Sequence, residues 1–413
     1  MFTSFSTALS ALGAHATAVD VFGNTLANLN TPGFKASSVV FYDLVTQSLG
    51  SGLGETQVGF GVGRPVTIRS FSQGAIQTSS GTLDAAIQGD GFLVVKSSQN
   101  QVLYTRGGSL LVDKSGSLLT AKGYRVQGWT ETNGTVSTNG PVGDINIPVG
   151  TIKAPRASTA FQFDMNLNAA ATAGPPPDTF SSSIEIFDSL GGSHVIQAAF
   201  TKTPNSNEWS YSVTIPDGDV SSPVAPLVGT LQFNSTGQLI SPSNTTPVAF
   251  NIAGLANGAN DLTINWSLFN GATGRITQYA QPSAVSANSQ DGEPSAQLIR
   301  VGIGDGGRVL AQYSNGVQSV VGQLAMASIR NPESMVAVGD SAFQLSSRTG
   351  LPAIGVSGTG GRGSIQGGAV EASNVDIAKE FTSLIILQRG YQANTRVITT
   401  VDEISQETIN LKR

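Results

Sequence analysis

Two glycine-rich segments of the sequence have the spacing Gly-x-Gly-x-x-Gly, which in nucleotide-binding proteins brings backbone N–H groups close to a phosphate. In a chain with 49 Gly among 413 residues, this spacing arises readily by chance. A phosphate site also needs a helix directly after the glycines, whereas residues 308–313 have the alternating pattern of a strand. We therefore interpret both segments as turns. They are Gly302/Gly304/Gly307 and Gly358/Gly360/Gly363.

Aspartate and histidine side chains are the other candidates for acid–base or metal chemistry. Asp84, Asp90 and Asp113 suggest a carboxylate pair or a cation site, yet the segments at the last two have the composition of hairpin turns. The only histidines are His15 and His194, and neither is accompanied by a Gly-x-Ser-x-Gly nucleophile motif. The sequence has no Cys, which excludes thiolate metal ligands and disulfides. We expect no catalytic, cofactor-binding or metal site.

Charge and hydropathy exclude further classes of function. The 22 Lys and Arg against 27 Asp and Glu give a net charge of −5, and the basic residues are scattered, so we expect no nucleic-acid partner. No apolar run approaches the roughly 20 residues of a membrane span, so we expect no membrane insertion. Residues 1–30 contain no Lys or Arg. They therefore lack the positive segment of a cleaved signal peptide.

Helices are expected only at the two ends, because all 18 Pro fall between Pro32 and Pro352. Near the N-terminus, apolar residues recur at alternating steps of four and three, which places them on one stripe of a helix. We expect this helix to end at 28–33, where Pro32 disfavours helix and Gly33 accepts a positive φ. The stripe consists of Phe5, Leu9, Leu12, Ala16, Val19, Phe22, Leu26 and Leu29.

The C-terminal segment has a heptad-like apolar seam. We expect its helix to begin with a cap at Ser373-Asn374, with Asp376 in the first turn. Pairing within one molecule as a small coiled coil is one interpretation of the two stripes. However, burying about ten apolar side chains offsets only part of the cost of ordering roughly 70 residues, so we predict that neighbouring copies supply the missing burial. The seam consists of Val370, Ile377, Phe381, Leu384, Tyr391, Ile398, Val401, Ile404, Thr408 and Leu411.

The interior of the chain is a series of short alternating runs separated by Gly, Ser, Asn and Asp turns, which predicts all-β domains. We therefore expect a mainly β fold with α-helical termini that pair as a coiled coil. The expected domains are a terminal helical polymerisation domain (1–30 with 371–413), an extended linking arm (31–71 with 363–370), a discontinuous inner β domain (72–154 with 289–362), and an inserted outer β-sandwich or barrel (155–288).

Several segments resemble the bacterial flagellar rod and hook axial proteins. Residues 20–35, DVFGNTLANLNTPGFK, resemble their N-terminal motif, and residues 368–376 with 387–394 resemble their C-terminal motif. Residues 81–92 and 104–108 are similar to the shared inner β domain, and 187–194 with 207–209 to the outer domain of the hook. The motif positions carried over are Asn24, Ala27, Asn28, Gly33, Phe34, Lys35, Glu371, Ser373, Asn374, Val375, Gln388, Arg389 and Tyr391. No role for Gly390 follows from the pattern.

The resemblance implies a structural subunit of the flagellar hook and not an enzyme. Such a subunit self-assembles into a short curved flexible tube, a universal joint that links the basal-body rod to the filament and transmits torque. It implies an extracellular location reached through the flagellar type III export apparatus without a cleaved signal peptide. The implied partners are many copies of the same chain, the distal rod protein, the hook cap, the hook–filament junction proteins and the export apparatus. No cofactor is implied.

The polymerisation helices would act through Phe5, Leu9, Leu12, Val19, Leu26, Ile377, Phe381, Leu384, Tyr391, Ile398 and Ile404. A distal rod or other axial protein is an alternative, since it would share both terminal motifs. A carbohydrate-active or adhesive β protein is a second alternative. It would require clustered aromatic side chains and paired carboxylates at one cleft.

Overall fold

The computed structural model describes residues 2–44, 46–49, 56–132 and 135–410. The chain divides into two compact units. The terminal unit comprises Met1–Val149, Arg300–Gln312 and Gln318–Arg413, and the central unit comprises Gly150–Ile299 and Tyr313–Val317. The expectation of a mainly β fold with helical ends is confirmed.

The two long helices are α1, Phe2–Ala27, and α2, Ile377–Asn410. The cap predicted for α2 at Ser373-Asn374 is wrong: Asp376 caps this helix, since its Oδ1 accepts the Lys379 N–H at 3.2 Å. Asn374 is not free to cap, because its carboxamide accepts the Ala36 N–H at 2.7 Å and donates to the carbonyls of Ser70 and Ser72. None of the described helices is long and apolar enough to cross a membrane.

The terminal unit contains one large antiparallel sheet and several two-stranded sheets. Phe92–Lys96 and Arg125–Thr130 lie in the middle of the large sheet, over a core that includes Phe92, Trp129 and Phe343. The strands and 3₁₀ turns of the terminal unit are Ser37–Val40, Thr46–Leu49, Thr56–Gly59, Val66–Arg69, Ile76–Thr78, Ala85–Gln88, Phe92–Lys96, Val102–Thr105, Leu110–Val112, Leu118–Thr120, Arg125–Thr130, Gly143–Asp144, Asp305–Gly307, Gln318–Leu324, Met326–Ser328, Pro332–Ser334, Val336–Gly339, Ala342–Gln344, Ala353–Gly355, Ser364–Gly367 and Ala369–Glu371.

The last two strands return the chain toward α2. Ser364–Gly367 pairs with Ala85–Gln88, and Ala369–Glu371 pairs with Ile76–Thr78. The segment 363–370, expected as part of an extended arm, is therefore paired along most of its length.

The central unit is built from two five-stranded sheets that share one hydrophobic core. In one sheet, Ala160–Asn168 is parallel to Leu262–Trp266 and Ile276–Tyr279 and antiparallel to Ala284–Gln290. The other is an antiparallel meander. The strands and the 3₁₀ turn of the central unit are Ile152–Lys153, Ala160–Asn168, Thr179–Phe187, Ser193–Lys202, Glu208–Thr214, Asp217–Asp219, Leu227–Phe233, Leu239–Ser241, Val248–Ile252, Leu262–Trp266, Phe269–Asn270, Thr273–Gly274, Ile276–Tyr279 and Ala284–Gln290. The residues of Ala296–Gly304 and Arg308–Tyr313 are divided between the two units.

Alternation along the central strands places one face of each sheet in the core. In Ser193–Lys202, for example, Ile196, Ala198 and Phe200 are buried while the residues between them are more exposed. Two separate sheets facing each other form a sandwich. Of the two expected forms for this region, sandwich or barrel, the barrel is wrong, because the fold has no closed barrel in this fully described unit.

Candidate polymerisation site at the terminal helices

The terminal helices α1 and α2 pack together and run antiparallel. Gly33, six residues after α1, donates its N–H to the carbonyl of Glu371, six residues before α2, at 2.8 Å. The end of α1 and the beginning of α2 therefore lie together. His15, twelve residues before the end of α1, meets Gly390, thirteen residues into α2. Both helices thus run away from one joint, side by side.

Small side chains are the ones that α1 buries. They are Ala8, Ala14, Ala18 and Thr25, and in α2 the buried residues are Glu380 and Leu387. A Cβ atom placed on Gly390 would lie 2.8 Å from Cε1 of His15, so a side chain at this position would press against the His15 ring. This contact explains a glycine for which the sequence pattern had no role.

Except for Leu387, the large apolar side chains in the described parts of both helices are left partly or fully accessible. Ala18 and Leu9 are nine residues, or two and a half turns, apart, so they lie on opposite faces of α1. Leu9 is accordingly 55% exposed and Phe5 40%. None of the eleven predicted polymerisation residues is buried: Phe5, Leu9, Ile377, Phe381, Tyr391 and Ile404 are exposed, and Leu12, Val19, Leu26, Leu384 and Ile398 are half-buried.

The heptad pattern missed other exposed apolar residues of α2. Ile385, Ile386, Val397 and Ile409 are all exposed. They lie off the seven-residue repeat. Their signal in the sequence is the apolar character of the other faces of the helix.

The arm runs back along α1 and covers part of it. Ser37–Val40 pairs with Val66–Arg69, and the chain between these strands reaches α1, where the Val62 N–H donates to Oγ of Ser10 at 3.2 Å. The ring of Phe41 lies 5.4 Å from that of His15. The arm therefore adds a second partner for α1 without burying Phe5 or Leu9.

A buried ionic cluster of Lys35, Arg106 and Glu371, here the Glu371 cluster, holds the joint. Oε1 of Glu371 is 2.7 Å from Nζ of Lys35 and accepts the Gly74 N–H, and Oε2 is 3.2 Å from Nη1 of Arg106. All three side chains are almost completely shielded from solvent. Burial lowers the pKa of Lys35, and the hydrogen bond to Glu371 and its charge oppose that effect.

The Glu371 cluster links three parts of the terminal unit. Lys35 follows α1 and also donates to the carbonyl of Ser72, while Arg106 donates through Nε to the carbonyl of Gly91 in the β region. Glu371 belongs to the last strand before α2. Because removing one member of such a buried group leaves an uncompensated charge, the cluster fixes how both helices leave the β region.

The motif residues carried over from the family resemblance separate into two groups. Gly33, Lys35, Glu371 and Asn374 meet at the joint, with Phe34, Ser373 and Val375 half-buried beside them. Asn28 donates to the carbonyl of Asn24 and so closes the last turn of α1. Ala27 is exposed at the end of α1, and Gln388, Arg389 and Tyr391 are exposed on α2.

A cleft of about 610 Å³ lies beside the joint in the terminal unit. Asn24, Asn28, Phe34 and Lys35 line it together with Arg69. The sequence indicated these motif positions but not the cleft, since the walls come from distant segments.

The candidates for chemistry lie in turns or structural contacts. Both glycine-rich segments are followed by strands, Arg308–Tyr313 and Ser364–Gly367. The carboxylate of Asp113 accepts hydrogen bonds from the N–H groups of Ser115 and Ser117, as expected in a turn. A hydrogen bond from the Ser115 hydroxyl makes the largest contribution to lowering the pKa of Asp113, and the N–H bonds lower it further. Among the described residues, no group of three or more His, Asp or Glu side chains is arranged to hold a metal ion.

His194 of the central unit pairs with buried Asp188, with Nε2 2.9 Å from Oδ2. Burial alone would raise the pKa of Asp188. Hydrogen bonds from Asn257 and His194 and from the N–H groups of Gly192 and Leu190 outweigh burial and lower that pKa. This arrangement fixes a turn and a strand end.

Comparison with known proteins gives four matching family profiles along the chain. They are "Flagella basal body rod protein" at residues 5–35, "Flagellar hook protein FlgE/F/G D1 domain" at 86–164, "Flagellar basal body protein FlaE D2 domain" at 166–293 and "Flagellar basal body rod FlgEFG protein C-terminal" at 366–411. Together with the fold and the exposed terminal helices, these matches define a structural protein of the flagellar axis.

Individual relatives narrow this class. The chain is 32% identical to the flagellar hook protein FlgE of Borreliella burgdorferi over all of both chains, and 32% identical to that of Escherichia coli K12 over 99% of this chain and 100% of the relative. The crystal structure of Helicobacter pylori hook protein FlgE2 has the same fold, with a TM-score of 0.54 at 16% identity over 70% of this chain and 99% of that one. The chain belongs to the flagellar hook protein family, and it is a structural subunit of the hook.

Proposed function

We propose that this hook subunit polymerises through the apolar side chains that α1 and α2 leave exposed. Phe5 and Leu9 on α1 and Phe381 and Ile385 on α2 carry the proposal, since each of them is 40% exposed or more in the single chain. Burying one such side chain against a neighbouring copy contributes about 1.5–3 kcal/mol. Several such contacts per subunit are enough to drive association.

The polymer is a short curved tube that acts as a universal joint and transmits torque from rod to filament. The Glu371 cluster supports this role, because it ties both helices to the β region within one subunit. A force on the helices then reaches the β region without bending the joint. Only 12% of all residues are charged, so β surfaces of adjacent copies slide past one another with few ion pairs to break.

The partners of the assembled tube are the distal rod protein at one end and the hook cap or hook–filament junction proteins at the other. The subunit reaches this extracellular position through the flagellar export apparatus. The absence of Cys supports passage of an unfolded chain through a narrow channel, because no disulfide has to be reduced first.

Charge placed on the exposed stripe tests the proposal. We expect Leu9→Glu and Phe381→Glu each to raise the protein concentration needed for sedimentable tubes by at least about tenfold, since one lost apolar contact is worth more than 1.4 kcal/mol. Val228→Glu is the matched control. Val228 is 66% exposed but lies in the central unit, and its replacement leaves tube formation unchanged.

Sedimentation and electron microscopy of the full-length variants give the answer. Tubes formed by Leu9→Glu at the wild-type concentration would contradict the proposal. Limited proteolysis provides a second test. In the unassembled subunit we expect the ends to be cleaved first and a core of residues 72–362 to survive, while assembly protects both ends.

A further inference from the structure

The cleft beside the joint contains a guanidinium group that has no anionic partner. Three cationic side chains line this cleft, those of Lys35, Arg69 and Lys122. Lys35 belongs to the Glu371 cluster, and Lys122 lies 3.0 Å from the carboxylate of Asp340 at the rim. Among the described residues, the side chain of Arg69 makes no hydrogen bond and no ion pair. The cleft therefore has one free positive charge.

Leaving Arg69 without an anion is costly. Its side chain is half-buried, with Cζ 5.3 Å from the centre of the Phe343 ring, and burial lowers its pKa. Because arginine keeps its charge at neutral pH, this guanidinium has lost part of its hydration without gaining a counter-charge. Asp340 is the only carboxylate among the described residues that line the cleft, and it is already paired. A carboxylate that enters the cleft from outside would stabilise it.

The far end of α2 carries carboxylates that lack a cation. Glu403 and Glu407 are exposed, and within the described part of the chain they form no ion pair and no hydrogen bond. They lie about 160° and 200° around the helix from buried Leu387, so they point away from α1. The nearest described cation of α2, Arg396, is about 10 Å from Glu403 along the axis. Residues 1–30, which include α1, contain no Lys or Arg.

The cleft and this acidic end cannot meet within one chain. The cleft lies at the joint, where α2 begins, whereas Glu403 lies about 39 Å along the axis from Ile377. In a second copy that is displaced along the axis by about the length of α2, roughly 50 Å, the acidic end reaches the joint of the first copy. Such a contact joins two different surfaces and is therefore heterologous. Its repetition builds an open helical polymer, which is the symmetry of a tube.

We propose that the cleft beside the joint of one copy receives the acidic end of α2 from the next copy along the axis, where Arg69 pairs with Glu403 and Glu407. The two glutamates are four residues apart and lie on one row of the helix, so both can reach one guanidinium group. The proposal rests on polymerisation through the terminal helices. It adds an axial contact between charged groups to the lateral contacts between apolar faces.

Charge reversal on each side tests this contact. In Arg69→Glu and in the double variant E403R/E407R, like charges meet at every axial contact. We expect the concentration of full-length protein needed for sedimentable tubes to rise at least about tenfold in each. In an equimolar mixture, alternating copies restore opposite charges at every axial contact, so we expect tubes within about threefold of the wild-type concentration. A folding defect in one variant cannot produce this rescue, because the compensating change is in the other molecule.

Two further variants test the choice of residues. Arg64→Glu is the matched control, since Arg64 is an exposed arginine of the same arm that does not line the cleft. We expect R64E to form tubes near the wild-type concentration and to leave E403R/E407R unrescued. The triple variant R69E/E403R/E407R has opposite charges at every axial contact, so we expect it to assemble as the mixture does.

Assembly of R69E at the wild-type concentration would overturn the ion pair. Failure of both the mixture and the triple variant would also overturn it and would assign the cleft to a different anion. Rescue of E403R/E407R by R64E instead of by R69E would overturn the choice of Arg69. Tubes of the wild-type protein in the same series, and their loss in Leu9→Glu, report on polymerisation itself. Failure of the axial contact is therefore distinguishable from failure of the proposed function.

Discussion

The central unit buries its largest side chains, whereas helix α1 buries small side chains and leaves its large apolar ones accessible. Phe163, Phe200 and Trp209 are inaccessible in the sandwich. In the described part of α1 the buried apolar residues are Ala8, Ala14 and Ala18, while Phe5 and Leu9 lie at the surface. A sandwich strand alternates between two faces, and the facing sheet covers the apolar one. A helix with apolar residues around most of its circumference finds a partner for only one stripe in a pair.

This difference separates stability from assembly. The central unit uses its apolar surface within one chain, so a core substitution there lowers the free energy of unfolding. In the proposed function the terminal helices keep theirs for contact with other copies, so we expect a substitution on the exposed stripe to lower assembly first.

The largest effect on stability is expected in the sandwich core. Phe200 is inaccessible, and its ring lies 6.0 Å from that of Trp266 and 6.4 Å from that of Phe180. Phe200→Ala should lower the free energy of unfolding of the central unit by about 3–5 kcal/mol, because it removes packing and leaves a cavity. Urea unfolding followed by tryptophan fluorescence measures this loss. Val228→Ala, at an exposed position, should stay within about 0.5 kcal/mol. A loss below about 1 kcal/mol at Phe200 would contradict the expectation.

At the joint of the terminal helices, the Glu371 cluster should matter for stability as a core residue of the sandwich does. Glu371→Gln removes the only anion between Lys35 and Arg106, so it should destabilise the terminal unit by about 3 kcal/mol. Thermal unfolding monitored by circular dichroism is the measurement. Glu403→Gln, on the exposed face of α2, serves as the control. An unchanged thermal unfolding midpoint in E371Q would show that the Glu371 cluster does not stabilise the joint.

A smaller effect is expected at the helix crossing. Gly390→Ala adds a Cβ against the ring of His15, an overpacking that costs about 1–3 kcal/mol. Alanine also favours helix by about 1 kcal/mol over glycine. The free energy of unfolding should therefore fall by about 1 kcal/mol in Gly390→Ala. In a His15→Ala background the same substitution should become stabilising, and this change of sign, read from the helical circular-dichroism signal during urea unfolding, tests the contact. The same sign in both backgrounds would exclude it.

The smallest effect is a pH dependence of the central unit. The folded pKa of Asp188 is lowered below its unfolded value near 3.9, so its contribution to stability is present above about pH 4 and is lost as the pH falls through the folded pKa. Asn257→Ala removes one hydrogen bond that lowers this pKa, so acid unfolding should begin at a higher pH. Urea unfolding at a series of pH values measures the shift. Equal acid midpoints for N257A and wild type would show that this hydrogen bond does not act on Asp188.

Much of the fold was predictable from patterns of short range. The distribution of Pro confined the long helices to the ends, and Pro32 with Gly33 marked the end of α1, where Gly33 indeed has a φ of 70°. Alternation predicted the β interior. The start of α2 was predicted two to three residues too early, because a capping signal at Ser373-Asn374 was present but the carboxamide of Asn374 is bonded to the arm.

The candidate site was less predictable, because its contacts join distant segments. Lys35 and Glu371 were selected from the family resemblance, and nothing in their spacing of 336 residues indicated an ion pair. Glu380 and Gly390 have no distinguishing pattern at all. Their meaning depends on which residue of α1 stands opposite.

The sequence alone determined which segments are helical, which are strands and how much apolar surface the ends carry, since these properties follow from local periodicity and composition. Only the tertiary structure decided which face of each helix is covered. That choice depends on the angle at which the chain leaves the Glu371 cluster and on the close approach at Gly390, both of which are set by contacts between residues hundreds of positions apart.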